Sequence, residues 1–213
     1  MKLKSVPILF AALLGLESLS VASAADERYQ FEVFLDQRPI GEHRFEVFKR
    51  GAQQRVSSRA EFKVRFLFVT AYRYRHSSDE RFRDGCLEQI SARTDANGTR
   101  YQVKGMRLGN DFRVERDAVS EKIDGCVKTF AYWDPGILEQ DRLLNPQTGE
   151  LEPVRVARRG LERVEVAGRE LSATRYALVT DELTIDLWYH DQLGWVRLAS
   201  DTGTGARLIY RRI

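Results

Sequence analysis

The regular alternation of apolar and polar residues along most of the chain is the feature that most constrains its fold. Near the start, Phe31 and Val33 flank Glu32, and the same pattern returns after a short polar interruption. A period of two places successive side chains on opposite faces of a β-strand, so each such stretch predicts a strand with one buried face. Turn residues at 36–39 join the first two stretches, which predicts a hairpin over residues 28–49.

Similar stretches recur after turn residues through most of the remaining sequence. The further predicted strands cover residues 54–69, continued by 71–75, then 87–93, 100–108, 112–116, 151–157, 162–166, 170–179, 182–189, 194–200 and 207–211. Between 124 and 153 the alternation is lost, and the dipeptide Asp134-Pro135 predicts the start of a short helix over 137–144.

This pattern predicts an all-β fold. Long antiparallel strands favour a closed or half-open barrel, in which the irregular segment 124–150 would form a cap or a plug. No stretch with the composition of a linker interrupts the pattern, so we expect residues 25–213 to form a single domain.

The first 24 residues have the three parts of a secretory signal peptide. Lys2 and Lys4 precede an apolar run at 6–16, and small residues up to Ala24 form a cleavage motif. The run is shorter than the ~20 residues that a membrane-spanning helix needs. We therefore expect cleavage after Ala24 and export to the periplasm, with no transmembrane segment in the mature chain.

The chain has two cysteines, Cys86 and Cys126. Export would place both in an oxidising compartment, where an even pair predicts a disulfide. A reactive thiol is the alternative, but neither cysteine lies in a Cys-x-x-Cys motif or at a helix start that would lower its pKa.

Several short motifs carry a resemblance to a known family. They are FEVFLD at 31–36, IG at 40–41, YRY at 72–74, GCL at 85–87, YWD at 132–134, LLNPQTG at 143–149, DLWY at 186–189 and GWV at 194–196. With these motifs the chain resembles a family of exported bacterial proteins known only as a domain of unknown function. The resemblance covers nearly the whole mature chain and implies no catalytic residues. In outline, the expected architecture is also similar to the periplasmic lipoprotein carriers, whose half-barrel holds acyl chains.

Common catalytic signatures, such as the Gly-x-Ser-x-Gly elbow and His-Glu-x-x-His, are absent from the sequence. The three histidines, His43, His76 and His190, are too loosely spaced to predict a metal site, and we expect each to end a strand at the surface. If the protein is an enzyme, Asp186, His190 and His76 are the candidate acid–base groups. Asp186 shares a strand face with Trp188, and we expect that face to be solvated.

Charge and composition exclude one class of partner. The 34 basic residues are spread along the chain and nearly balanced by 31 acidic ones. Nucleic-acid binding would require a basic stripe, so we expect no nucleic-acid partner. No motif indicates a cofactor.

Aromatic residues are the most informative feature for function. The candidate ligand-binding residues are Phe62, Phe66, Phe68, Tyr72, Tyr74, Tyr132 and Trp133. The first five would share one face of a long strand if its register continued through residues 69–70, and the last two belong to the cap.

These features favour a non-catalytic periplasmic carrier of an apolar or amphipathic ligand, plausibly a lipid. The cap would gate the pocket, and Phe66→Asp would abolish ligand binding. Small barrels also fill their interiors with side chains, so a structural or partner-binding module with a filled core is the first alternative. An envelope enzyme is the second.

Overall fold

A computed structural model gives the structure of residues 25–66, 69–203 and 205–213. The predicted signal peptide and Phe68 lie outside these residues. Among the described residues, none of the helical segments has the length and hydropathy of a membrane-spanning helix.

Fifteen strands are found in the described residues, with one short 3-10 helix at Pro135–Glu139. The strands are β1 (Ala25–Leu35), β2 (Arg38–Arg50), β3 (Gln53–Phe66), β4 (Val69–Arg83), β5 (Cys86–Ala96), β6 (Thr99–Leu108), β7 (Asp111–Arg116), β8 (Val119–Asp124), β9 (Arg142–Leu144), β10 (Leu151–Pro153), β11 (Arg155–Val166), β12 (Arg169–Val179), β13 (Thr184–His190), β14 (Gly194–Asp201) and β15 (Arg207–Arg212).

Thirteen of these strands form one antiparallel sheet in the order β11-β12-β13-β14-β15-β1-β2-β3-β4-β5-β6-β7-β8. The first strand lies between the last strand and β2, so the two ends of the described chain meet in the middle of the sheet. The sheet curls without closing. The prediction of an all-β fold of long antiparallel strands is therefore confirmed, and of the two predicted forms, closed and half-open, the sheet agrees with the half-open one.

The prediction of one continuous strand over residues 54–75 is wrong. The chain reverses between Phe66 and Val69, and the two halves pair as β3 and β4 with Phe62 opposite Tyr74. The reversal was not visible because residues 65–70 (RFLFVT) contain none of the residues that usually mark a turn. The apolar–polar alternation of the sequence continues across the reversal because β3 and β4 bury the same face of the sheet.

The segment 125–154, which we call the plug, lies inside the curled sheet. It contributes seven side chains to the main hydrophobic core: Val127, Ala131, Trp133, Ile137, Leu143, Leu144 and Val154. A disulfide between Cys86 and Cys126 ties its start to β5, which confirms the predicted pairing. The interior of the described barrel is thus packed with the protein's own side chains.

The helix predicted over 137–144 is shorter than expected. Asp134 caps the 3-10 helix by accepting a hydrogen bond from the Gly136 amide at 2.9 Å, and the helix ends at Glu139. Residues 142–144 are extended instead, because they form β9 and pair with β10.

The C-terminal strands form a second, smaller cluster on the opposite face of the sheet. This outer cluster consists of Val164, Val166, Ala173, Trp188, Val196 and Ala199. The register of β11 against β12 shifts between Arg158 and Gly160, and the backbone amide of Ala167 at the β11–β12 turn donates to the Arg212 carbonyl of β15 at 3.3 Å. Strands β13 and β14 are consequently buried on both faces, which explains the uninterrupted burial of residues 185–189.

Candidate functional site

Four of the seven predicted aromatic residues belong to the main hydrophobic core or pack against it. Phe62 and Tyr74 stack with their ring centroids 5.2 Å apart. Tyr132 and Trp133 belong to the plug. The ring centroid of Tyr132 lies 5.4 Å from that of Trp195 in β14. Trp133 is 4% exposed and is a member of the main core. The interior therefore has an aromatic wall to which both the sheet and the plug contribute.

The structure describes the side chain of only one of the other three predicted aromatic residues, Tyr72. Tyr72 is 40% exposed. Phe66 ends β3, where its backbone is opposite Val69. Phe68 lies outside the described residues. The continuous row expected from the sequence is broken because β3 and β4 are two strands rather than one.

Polar side chains occupy the inner face of β2–β5 beside the aromatic wall. This polar cluster consists of His43, Ser58, His76, Ser78, Glu80 and Thr94, joined by Thr129 of the plug. The hydroxyl of Ser58 lies 2.7 Å from Nε2 of His43, and the hydroxyl of Thr94 lies 2.9 Å from Nδ1 of His76. Thr129 donates to Oε2 of Glu80 at 2.7 Å. The plug is therefore fixed to the sheet by polar as well as apolar contacts.

Burial determines the protonation of the polar cluster. It lowers the pKa of His43 well below the usual range, and the nearby His76 lowers it further. Burial also lowers the pKa of His76, to about 4. The pKa of Glu80 is raised by burial, although hydrogen bonds from Ser78 and Thr129 oppose the increase. Both imidazoles are consequently neutral at neutral pH.

The Ser58–His43 contact has the distance of a nucleophile–base pair, but the surrounding groups do not complete a catalytic triad. The group at Nδ1 of His43 is the Tyr210 hydroxyl, at 3.3 Å, rather than a carboxylate. Ser58 is only 5% exposed. The arrangement is therefore suited to hydrogen bonding within a core rather than to turnover of a substrate.

Asp186, His190 and His76, the candidate acid–base groups, are not brought together. His76 is in the interior, whereas Asp186 lies on the opposite face of the sheet and accepts hydrogen bonds from Arg175 at 2.8 and 2.9 Å. His190 is the last residue of β13, and its Nδ1 accepts a hydrogen bond from the backbone N–H of Gln192 at 3.2 Å.

Two expectations about these residues are wrong. The face that holds Asp186 is not solvated, because the β11–β12 hairpin covers it and leaves the aspartate 7% exposed. His43 and His76 do not end strands at the surface, because each lies within a strand on the core-facing side. The sequence contained one signal of this burial. His76, Ser78 and Glu80 are spaced two residues apart and continue, with polar side chains, the inward-facing pattern of β4.

The outer face of β1–β5 contains a groove of about 800 Å³. We call it the outer groove. Its lining includes Phe48, Arg50, Arg55, Arg81, Gln89 and Ser91. Sequence reasoning missed it because its residues are brought together only by the pairing of five strands.

The fold and these sites define a β-barrel-like protein with a plugged interior. The chain belongs to the family described as a domain of unknown function, DUF6134, whose model matches residues 31–213. No curated protein sequence matches it.

A solved structure is similar in fold to this chain. It is the crystal structure of a beta-barrel-like protein of domain of unknown function DUF1849 from Brucella abortus. The TM-score is 0.63 at 10% sequence identity, and the match covers 91% of this chain and 98% of the other. At that identity the similarity establishes the architecture alone.

Proposed function

We propose that the protein is a non-catalytic binding protein of the bacterial envelope that contacts its ligand or partner on the outside of a filled barrel. The observation that carries this proposal is the plug, whose side chains occupy the space in which an internal ligand would lie.

The energy of plug burial favours external binding. Six of the seven buried plug side chains are larger than alanine. Burying a side chain of this size contributes about 1.5–3 kcal/mol, so the six together contribute on the order of 10 kcal/mol. The net stability of a whole domain is only about 5–15 kcal/mol. A ligand that entered by displacing the plug would have to replace nearly all of the stabilisation that burial of the plug contributes.

Export to the periplasm is the second part of the proposal. The disulfide between Cys86 and Cys126 is typical of an oxidising compartment. Residues 1–24 have the pattern of a signal peptide, which would direct the chain to the periplasm.

A lipid-extraction assay tests the proposal. The mature chain, residues 25–213, is incubated with vesicles that contain a fluorescent phospholipid, and the vesicles are then removed by centrifugation. An external binder leaves the fluorescent lipid in the pellet. One lipid molecule per protein in the supernatant would contradict the proposal.

A carrier of an amphipathic ligand is the second candidate, and one observation favours it. The aromatic wall around Phe62 and Tyr74 lies beside the polar cluster, so the interior offers both kinds of contact. Loading would require the plug to leave. Reduction of the disulfide releases the start of the plug, and for a carrier it should increase the lipid found in the supernatant.

A further inference from the structure

One row of directly opposed residues crosses the outer face of five neighbouring strands. From β1 to β5 the row consists of Asp26, Phe48, Arg55, Arg81 and Gln89, each paired with the next across a strand boundary. All five residues line the outer groove. The register of the sheet thus builds the groove from residues far apart in the sequence.

The two arginines at the centre of the row are an unfavourable pair for the sheet itself. Arg55 and Arg81 are directly opposite each other on β3 and β4. Like charges in this position destabilise a sheet because the side chains lie about 5 Å apart. Neither guanidinium has an ion pair or hydrogen bond among the described residues, whereas neighbouring Arg59 pairs with Asp79 at 2.9 Å. Nothing within the described structure therefore compensates the repulsion.

The rest of the groove adds to its positive charge. Arg50, which also lines it, has no ion pair or hydrogen bond in the described chain either. Of the carboxylates in the lining, Asp79 is neutralised by Arg59, and Glu80 is engaged by Ser78 and Thr129 on the inner side. Three unpaired guanidinium groups therefore face a single unpaired carboxylate, that of Asp26.

The uncharged groups of the lining are suited to a sugar. Phe48 is 40% exposed and offers a flat apolar surface to the C–H face of a pyranose ring. Gln89, Ser57 and Ser91 provide amide and hydroxyl groups that both donate and accept hydrogen bonds. A guanidinium pair is suited to a carboxylate or a phosphate, which it binds in a forked geometry.

We propose that the outer groove binds a saccharide that carries a carboxylate or phosphate group. The acidic group lies between Arg55 and Arg81, and a sugar ring packs on Phe48. This inference rests on the proposed external mode of binding and names its ligand class. The exposed ring of Phe48 and the hydrogen-bonding groups of Gln89, Ser57 and Ser91 beside the arginines favour a saccharide over the flat surface of an anionic membrane.

Calorimetric titration of the mature chain tests the proposal with three probes. The probes are a hexamer of galacturonic acid, glucose 1-phosphate, and maltohexaose as the neutral counterpart. We expect at least one acidic probe to bind at least tenfold more tightly than maltohexaose. The acidic probe that binds distinguishes a carboxylate ligand from a phosphate ligand. Equal affinity for all three probes would overturn the proposal.

A double variant, R55Q/R81Q, locates the site. It should weaken binding of the acidic probe at least tenfold. The matched control is R158Q/R169Q, which removes the same charge from β11 and β12, at the other end of the strand order. The control should bind within twofold of the wild-type protein. Equal weakening in both variants would show a general charge effect and overturn the assignment.

Stability and membrane controls separate this inference from other outcomes. Because R55Q/R81Q relieves a repulsion, its melting temperature should equal or exceed that of the wild type, and a clear decrease would show that the pair supports the sheet instead. Vesicles of phosphatidylcholine and phosphatidylglycerol at 3:1 should not compete with the acidic probe, and full competition would overturn the saccharide assignment. Extraction of lipid by the wild-type protein would refute external binding itself. Unchanged probe binding by R55Q/R81Q, with no lipid extracted, would refute the groove alone.

Discussion

Replacing Ile137 with alanine tests whether the plug is a packed part of the core. Ile137 has no exposed surface and lies in the 3-10 helix, inside the barrel. The substitution removes three carbon atoms, which at about 0.8 kcal/mol each corresponds to about 2.5 kcal/mol of lost burial. The cavity left behind adds to this loss, and measured substitutions of this kind cost about 2–5 kcal/mol. We expect the free energy of unfolding to fall by about 3–4 kcal/mol.

Urea unfolding at pH 7, followed by tryptophan fluorescence with the disulfide intact, measures this change. Leu161→Ala is the matched control, because Leu161 is 70% exposed and its truncation should cost less than about 0.5 kcal/mol. The denaturant slope should be the same for both variants and the wild type. A loss below about 1 kcal/mol for Ile137→Ala would mean that the plug is loosely packed, and the argument for external binding would fail.

Three further predictions concern the disulfide, the buried histidine and one glycine. The variant C86S/C126S should lose about 4 kcal/mol in the free energy of unfolding, because the bond spans 40 residues, and an unchanged urea midpoint would contradict this. Burial lowers the pKa of His76 in the folded protein to about 4. Between pH 6.5 and pH 4 the unfolded chain therefore binds the proton more readily, and the free energy of unfolding decreases as the pH is lowered. From pH 7 to 4.5 the wild type should therefore lose about 2 kcal/mol more than His76→Gln, and equal losses would refute the assignment. Gly41→Ala should lower the melting temperature by several degrees, because the added methyl group would overlap the Glu61 carbonyl oxygen, and a wild-type melting curve would show that this close approach is not present.

Alternation predicted the strands well where one face is apolar and the other is polar. Strands β1 and β2 are such a case, since Phe31, Val33, Phe45 and Val47 all face the core. The same reasoning failed in the second half of β4, because three successive inner-face residues, His76, Ser78 and Glu80, are polar and do not look buried in a sequence.

The functional sites were less predictable than the strands because they depend on long-range pairing. The sequence indicated that segment 124–150 is irregular, but a pattern of residues does not specify whether such a segment lies over a barrel or inside it. Likewise, Arg55 and Arg81 become neighbours only through the β3–β4 register, and the sequence between these strands contains none of the usual turn residues. The disulfide was predictable because an even number of cysteines and the expectation of an oxidising compartment were sufficient.

Native mass spectrometry of residues 25–213, purified from the periplasm without detergent, tests the central claim that the barrel is filled by its own plug. The account predicts a single species at the calculated protein mass less two hydrogens for the disulfide. Additional mass that organic solvent releases as lipid would contradict it and would favour the carrier.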